Sequence, residues 1–150
     1  MSLYRHEFPI KEMDFIHAGE ASISVKNILK GIGAEPDLIR RVAIASYEAE
    51  MNAVMYGREG RMIIELGENG VIVIVEDQGQ GISDLELAMR EGWSTATPEM
   101  REMGFGAGMG LPNIKKNADE LRVTSSPGQG TRLEIIFHNV WKSVNGQRKS

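Results

Sequence analysis

Gly104-Phe-Gly106-Ala-Gly108-Met-Gly110-Leu-Pro112-Asn-Ile-Lys-Lys116 is the stretch around which the chain is organised. Four glycines alternate with other residues, and a proline suited to a first helical turn follows. Glycine lets a ligand approach the bare backbone, and a run of such residues can turn successive N–H groups into an anion-binding nest. Pro112 loses nothing at a helix start, where its missing N–H would have no acceptor. The positive end of that helix then faces the same anion. A flexible linker would also be glycine-rich, but linkers do not usually end in a clean helix start. The stretch reads as a phosphate-binding lid.

Upstream, the hydrophobic pattern changes period twice. Residues 4–10 suit a strand, with Pro9 favouring an edge position. Asp14 is a plausible N-cap for a helix carrying Ala18, Ala21, Val25, Ile28, Leu29 and Ile32, stopped by Gly31 and Gly33. Pro36 and Asp37 open a second helix, with Leu38, Ile39, Val42, Ala43, Tyr47, Val54 and Met55 as its apolar residues, ending at Gly57. Period two follows: Met62, Ile64 and Leu66 alternate, and Gly67-Glu-Asn-Gly70 makes a hairpin turn into Val71-Ile-Val-Ile-Val75. That strand is apolar on both faces and belongs in the middle of a sheet. A short helix is expected at Asp84–Arg90, a mobile segment at 91–109 and a helix from Pro112 to about Leu121. A strand at 122–125 and a turn at Pro127–Gly130 lead to a last strand with Leu133, Ile135 and Phe137 on one face. The fold expected is α+β: a two-layer α/β sandwich, its mixed and mostly antiparallel sheet covered on one face by helices. One domain spans 1–140, and 141–150 is a polar tail.

The composition excludes several classes of function. The 150 residues carry a net charge of −4, and no basic stripe favours nucleic acid. There is no cysteine, so neither disulfides nor thiolate metal sites exist, and His6, His17 and His138 are scattered. The N-terminus has charges where a signal peptide needs an apolar core, and the longest apolar run is too short to span a bilayer. A cytoplasmic protein without membrane contact is expected.

Glu48 and Asn52 stand four apart, on one face of the second helix. An Asn carbonyl oxygen is a hard ligand suited to Mg²⁺, and a carboxylate one turn earlier can take a proton from a nearby hydroxyl. Glu50 points elsewhere and reads as an ordinary solvated residue. At the end of the central strand, Asp77-Gln-Gly79-Gln80-Gly81-Ile82 offers a carboxylate to an exocyclic amine and bare backbone to a flat ring. Adenine presents such an amine; guanine presents a carbonyl there. Gly128-Gln-Gly130-Thr131 adds a turn with a hydroxyl that can support the same ring. No Walker A sequence is present, and Asp84 stands where a Rossmann fingerprint needs its third glycine.

Taken together and in order, these pieces resemble the Bergerat-fold (GHKL) ATPases, the family of gyrase, Hsp90, MutL and histidine kinases. The N box is Glu48–Ala53, the first glycine box Asp77–Gly81, the lid Gly104–Gly110 and the last box Gly128–Thr131. Within that family the chain is most similar to anti-sigma-factor serine kinases and stress-complex switch kinases, through Gly81–Thr95 and Gly108–Pro112. The resemblance implies ATP and Mg²⁺ as cofactors, Glu48 as general base and Asn52 on the metal. It implies that Asp77, Gly79, Gly81, Ile82, Gly104, Gly106, Gly108, Met109, Gly110, Leu111 and Thr131 hold the nucleotide. It also implies a serine/threonine kinase acting on a STAS-type (anti-anti-sigma) regulator, or a module that sequesters a sigma factor, and it allows a homodimer. Neither a histidine kinase, which needs a separate four-helix dimerisation unit, nor a free-standing ATPase clamp, which needs a transducer domain, is expected. Two departures stand out. Gln80 replaces a common proline, and Thr97–Met103 lengthens the lid, where Met100, Met103, Phe105 and Met109 are expected to help form the regulator's surface.

Overall fold

A computed structural model describes residues 2–56, 59–68, 70–79, 110–125 and 128–138. The element order is β1 (Ser2–Lys11), α1 (Glu20–Gly31), α2 (Pro36–Tyr56), β2 (Glu59–Gly67), β3 (Gly70–Asp77), α3 (Gly110–Asn117), β4 (Glu120–Ser125) and β5 (Thr131–His138). The expected helix at Asp84–Arg90, the lid at 91–109 and the tail lie outside the described residues, as do Gly81, Ile82, Gly104, Gly106, Gly108 and Met109.

Among the described residues five strands stand in the order β1-β2-β3-β5-β4, and their four pairings are antiparallel. β3 occupies the centre, as its two apolar faces require. β1 lies at an edge, where Pro9 costs no ladder hydrogen bond. The three helices among the described residues cover one face, giving the α+β two-layer sandwich. Met62, Ile64, Val71, Val73, Val75, Leu133, Ile135 and Phe137 supply the sheet's half of the core. α1 adds Val25 and Leu29, α2 adds Leu38 and Val42, and α3 adds Leu111 and Ile114.

The long helix α2 meets the sheet through a row of small residues, Ala45, Ala49 and Ala53, all buried. Small side chains let the helix axis lie close to the strands, which periodicity of larger residues does not reveal. Tyr47, expected among the apolar residues of α2, is instead 43% exposed. It stands on the flank toward α1, where the Gly19 backbone lies against its ring.

Two helix ends differ from expectation. α3 starts at Gly110, two residues before Pro112, and stops at Asn117, because Leu121 is taken up by β4. Arg41 of α2 closes that C-terminus: its Nη1 donates to the Asn117 carbonyl at 3.1 Å, and its guanidinium lies 5.8 Å from the centre of the Phe137 ring. α1 does not begin at Asp14. Residues 12–19 form turns, Asp14 accepts hydrogen bonds from the backbone and ring of His17, and the helix opens after Gly19 in a left-handed conformation, φ 99°. Gly19 has no side chain with which to cap.

The cap comes from α2. Glu50 accepts hydrogen bonds from the Gly19 and Ala21 amides on Oε2 (3.0 and 3.2 Å) and from the Ser22 amide on Oε1 (2.9 Å). It is 3% exposed. Glu50 is therefore not a solvated residue but a buried carboxylate filling the positive end of a neighbouring helix.

The face of the sheet away from the helices carries charge around an apolar centre. An ionic ladder of Arg5, Glu7, Arg61, Glu76, Arg132, Glu134 and Arg122 crosses all five strands. Ile63, Ile74 and Ile136, also on this face, are nevertheless buried. Long arginine stems can cover aliphatic side chains while keeping their charge in water.

Candidate nucleotide site

Glu48 and Asn52 sit on α2 one turn apart, both half-buried, on the flank that turns toward α3. Burial pushes the Glu48 carboxyl above its ordinary value. A carboxylate in that state holds a proton more readily than a solvated one, the property a general base at a neutral-pH site needs.

Gly110, the last glycine of the lid stretch, lies directly against Asn52. A Cβ at position 110 would stand 3.1 Å from the Asn52 Oδ1 and 3.3 Å from its Nδ2. The N-terminus of α3 and the amide of α2 are thus brought together although 58 residues separate them in sequence. Among the described residues no three His, Cys, Asp or Glu side chains gather into a metal cage. The donor set suits an ion that takes one hard oxygen from the protein and the rest from phosphate and water, which is how Mg²⁺ is usually held. Asn52 fits that role.

Asp77 ends β3 on the face covered by the helices, directly opposite Thr131 of β5. Its Oδ1 accepts a hydrogen bond from the Gly79 amide at 2.8 Å, which folds the chain into a tight turn. Burial raises the Asp77 pKa, and hydrogen bonds from the backbone of Gly79 and Thr131 partly offset it. The turn fixes one carboxylate oxygen, and an ionised carboxylate has acceptor capacity beyond these backbone bonds. Gly130 packs on the Asp77 carbonyl with φ 78°, and any Cβ there would collide with that oxygen. The Thr131 hydroxyl pairs with Ser125 Oγ at 2.8 Å, and Ser125 Oγ also donates to the Gly130 carbonyl at 3.0 Å. The last glycine box therefore braces the aspartate.

Leu111, expected to touch the ligand, is 5% exposed and packs in the core, so only its backbone is available. A cavity of about 460 Å³ opens at the same end of the sheet. Asp77, Gly130 and Thr131 line it together with Arg61, Glu76 and Arg132 of the charged face, and neither Glu48 nor Asn52 does. It is distinct from the flank of α2 that carries Glu48 and Asn52. The residues that sequence reasoning missed are Ser125, a bracing hydroxyl without a motif, and Glu50. The one signal for Glu50 was a neighbouring helix that starts at glycine with no capping side chain of its own.

Residues 37–140 match the family described as histidine kinase-, DNA gyrase B-, and HSP90-like ATPase. The serine/threonine-protein kinase RsbT of Bacillus subtilis is 33% identical over 115 residues, covering 74% of this chain and 80% of that protein. The anti-sigma F factor of Thermoanaerobacter sp. is 30% identical over 133 residues, 83% of this chain and 90% of that one. The anti-sigma F factor of Pasteuria penetrans is 33% identical over 136 residues, with 83% and 87% covered. Among solved structures, a chain of the SiaB–SiaC complex from Pseudomonas aeruginosa shares the fold, with a TM-score of 0.53 at 14% identity over 89% of this chain and 88% of that one.

Proposed function

The chain belongs to the histidine kinase-, DNA gyrase B- and HSP90-like ATPases, and from that membership we propose that it is an ATP-dependent serine/threonine protein kinase acting on a small STAS-type regulator. The observation that carries the reading is the meeting of three features at α2. A half-buried carboxylate with a raised pKa stands one turn from an amide oxygen, and that amide lies against the glycine at the foot of a phosphate-binding stretch.

In this reading the adenine six-amino group donates to Asp77, and the ring lies on the Gly79 backbone. Asn52 would hold Mg²⁺, which would supply positive charge to offset that of the phosphates. Glu48 accepts the proton of the substrate hydroxyl as the serine oxygen bonds to the γ-phosphorus. The bond from that phosphorus to the β–γ bridging oxygen breaks, and ADP leaves. The glycine-rich stretch supplies backbone N–H groups to the phosphates, and the N-terminus of α3 favours their charge.

Two of the relatives are named as anti-sigma factors. A second role, nucleotide-controlled sequestration of a sigma factor, uses the same surface and does not compete with the first. No helix among the described residues is long and apolar enough to cross a membrane.

The test is transfer of label from γ-³²P-ATP with Mg²⁺ to each purified STAS-domain protein of the source genome, followed by phosphopeptide mapping. Label on a serine or threonine of one such protein is expected. Bound nucleotide without transfer to any of them would overturn the kinase reading.

A further inference from the structure

The turn segment between β1 and α1, Glu12 to Ala18, has features that the nucleotide site does not use. Ile16 is 90% exposed, and Met13 is 49% exposed. Apolar side chains displayed this openly are ordinary on a loose loop. This one is held at both ends by α2. The Met13 amide donates to the Val54 carbonyl at 2.8 Å, and the Gly19 amide donates to the buried Glu50 carboxylate at 3.0 Å. Within the segment, Asp14 is bonded to the amide and ring of His17. Met13 has φ 58°, a conformation that residues with side chains seldom adopt. Such backbone persists only where the surroundings over-determine it, and it clusters at functional segments.

The underside of the segment shows where it sits. Phe15 and Ala18 pack on Met51 and Met55 of α2. Met51 lies one turn after Glu48, and Met55 one turn after Asn52, so the four side chains form adjoining rows on the helix surface. The segment therefore lies on α2 beside the row that carries the proposed base.

We infer that residues 12–18 are a preformed docking epitope, with Ile16 and Met13 as its anchors, for the protein substrate whose hydroxyl Glu48 deprotonates. The assignment rests on the kinase reading above. The substrate face it fits is an apolar recess rimmed by lysine or arginine, because Glu12, Asp14 and Glu20 flank the tip in sequence and Lys11 is the one Lys or Arg within residues 11–20. Two anchors fall far short of the roughly 800 Å² per partner that a stable interface buries. That area suits a substrate that must leave after each turnover better than a permanent second copy of this chain. A rigid loop also loses little entropy on binding, which favours recognition by few contacts.

Ile16→Asp tests the epitope, with Ile32→Asp at the far end of α1 as control. Both side chains face solvent, so both variants fold. The readouts are steady-state transfer to the STAS-domain protein that the parent phosphorylates, ATP affinity by calorimetry and sedimentation velocity. Ile16→Asp is expected to raise KM for the protein substrate at least tenfold, with kcat and ATP affinity unchanged, while Ile32→Asp behaves as the parent. Unchanged KM for Ile16→Asp with parental transfer intact would overturn the docking assignment alone. A parent dimer that Ile16→Asp dissociates would overturn it in favour of self-association. Absence of transfer by the parent itself would overturn the kinase reading, and the assignment with it.

Discussion

Gly110 lies against the Asn52 side chain so closely that a methyl group there would meet the amide oxygen at 3.1 Å. Gly110 opens α3 with φ outside the left-handed region, so alanine meets no backbone strain there. Gly110→Ala should therefore fold as stably as the parent while displacing Asn52 by a few tenths of an ångström. Disturbing the support of a metal ligand typically costs about 10–100-fold in metal affinity. Calorimetry with ATP, with and without Mg²⁺, should show the loss confined to the Mg²⁺-dependent part of binding. A loss equal in both conditions would remove Asn52 from the metal.

Burial raises the pKa of both Glu48 and Asp77 in the folded protein. A carboxyl whose folded pKa exceeds its unfolded value contributes stability that is complete below the unfolded pKa. That contribution is lost as pH rises through the folded pKa. At neutral pH both groups are therefore held at the expense of stability. Glu48→Gln should unfold at higher urea than the parent at pH 7, and the difference should shrink as pH falls toward the carboxylate range. A less stable variant at pH 7 would contradict the burial argument.

Glu50 accepts three backbone hydrogen bonds at the start of α1. Hydrogen bonds to charged groups contribute roughly 1.5–3 kcal/mol each. A helix of 12 residues has little stability of its own without tertiary support. Glu50→Gln keeps the shape but turns an NH₂ toward amide donors, and should lower stability by at least about 1.5 kcal/mol in urea unfolding. A neutral outcome would mean that α1 is capped by water instead.

Ser46 Oγ is the one buried side-chain polar atom among the described residues that finds no partner. An unsatisfied buried hydroxyl costs about 1–3 kcal/mol, and alanine is also the better helix former. Ser46→Ala should raise stability by about 1 kcal/mol or more, read as a shift in the urea midpoint. A destabilised variant would reveal a hydrogen bond to Ser46.

Most of the architecture was legible because its signals are local. Period two marked β2 and β5, the double apolar face of Val71–Val75 placed β3 centrally, and Pro9 put β1 at an edge. Asp77 and Thr131 were legible as motif residues, and the structure pairs them across β3 and β5. Contacts distant in sequence were not legible. Asp14 carries the right side chain for an N-cap, yet the cap of α1 comes from Glu50, about 30 residues later, because Gly19 in the left-handed region has nothing to offer. The close seating of α2 depends on Ala45, Ala49 and Ala53, too small to register in an apolar periodicity. The contact of Gly110 with Asn52 joins two motifs that the sequence could only place in order.

The central claim is that Glu48 acts as base for transfer to a protein hydroxyl, at a site where Asn52 and Asp77 hold the nucleotide. The most direct measurement is single-turnover transfer from γ-³²P-ATP to the STAS-domain substrate by the parent and by Glu48→Gln, with ATP affinity measured on the same samples. The account predicts a transfer rate lower by about 10²–10⁴-fold in the variant, at ATP affinity within a few-fold of the parent. Transfer at the parental rate by Glu48→Gln would contradict it.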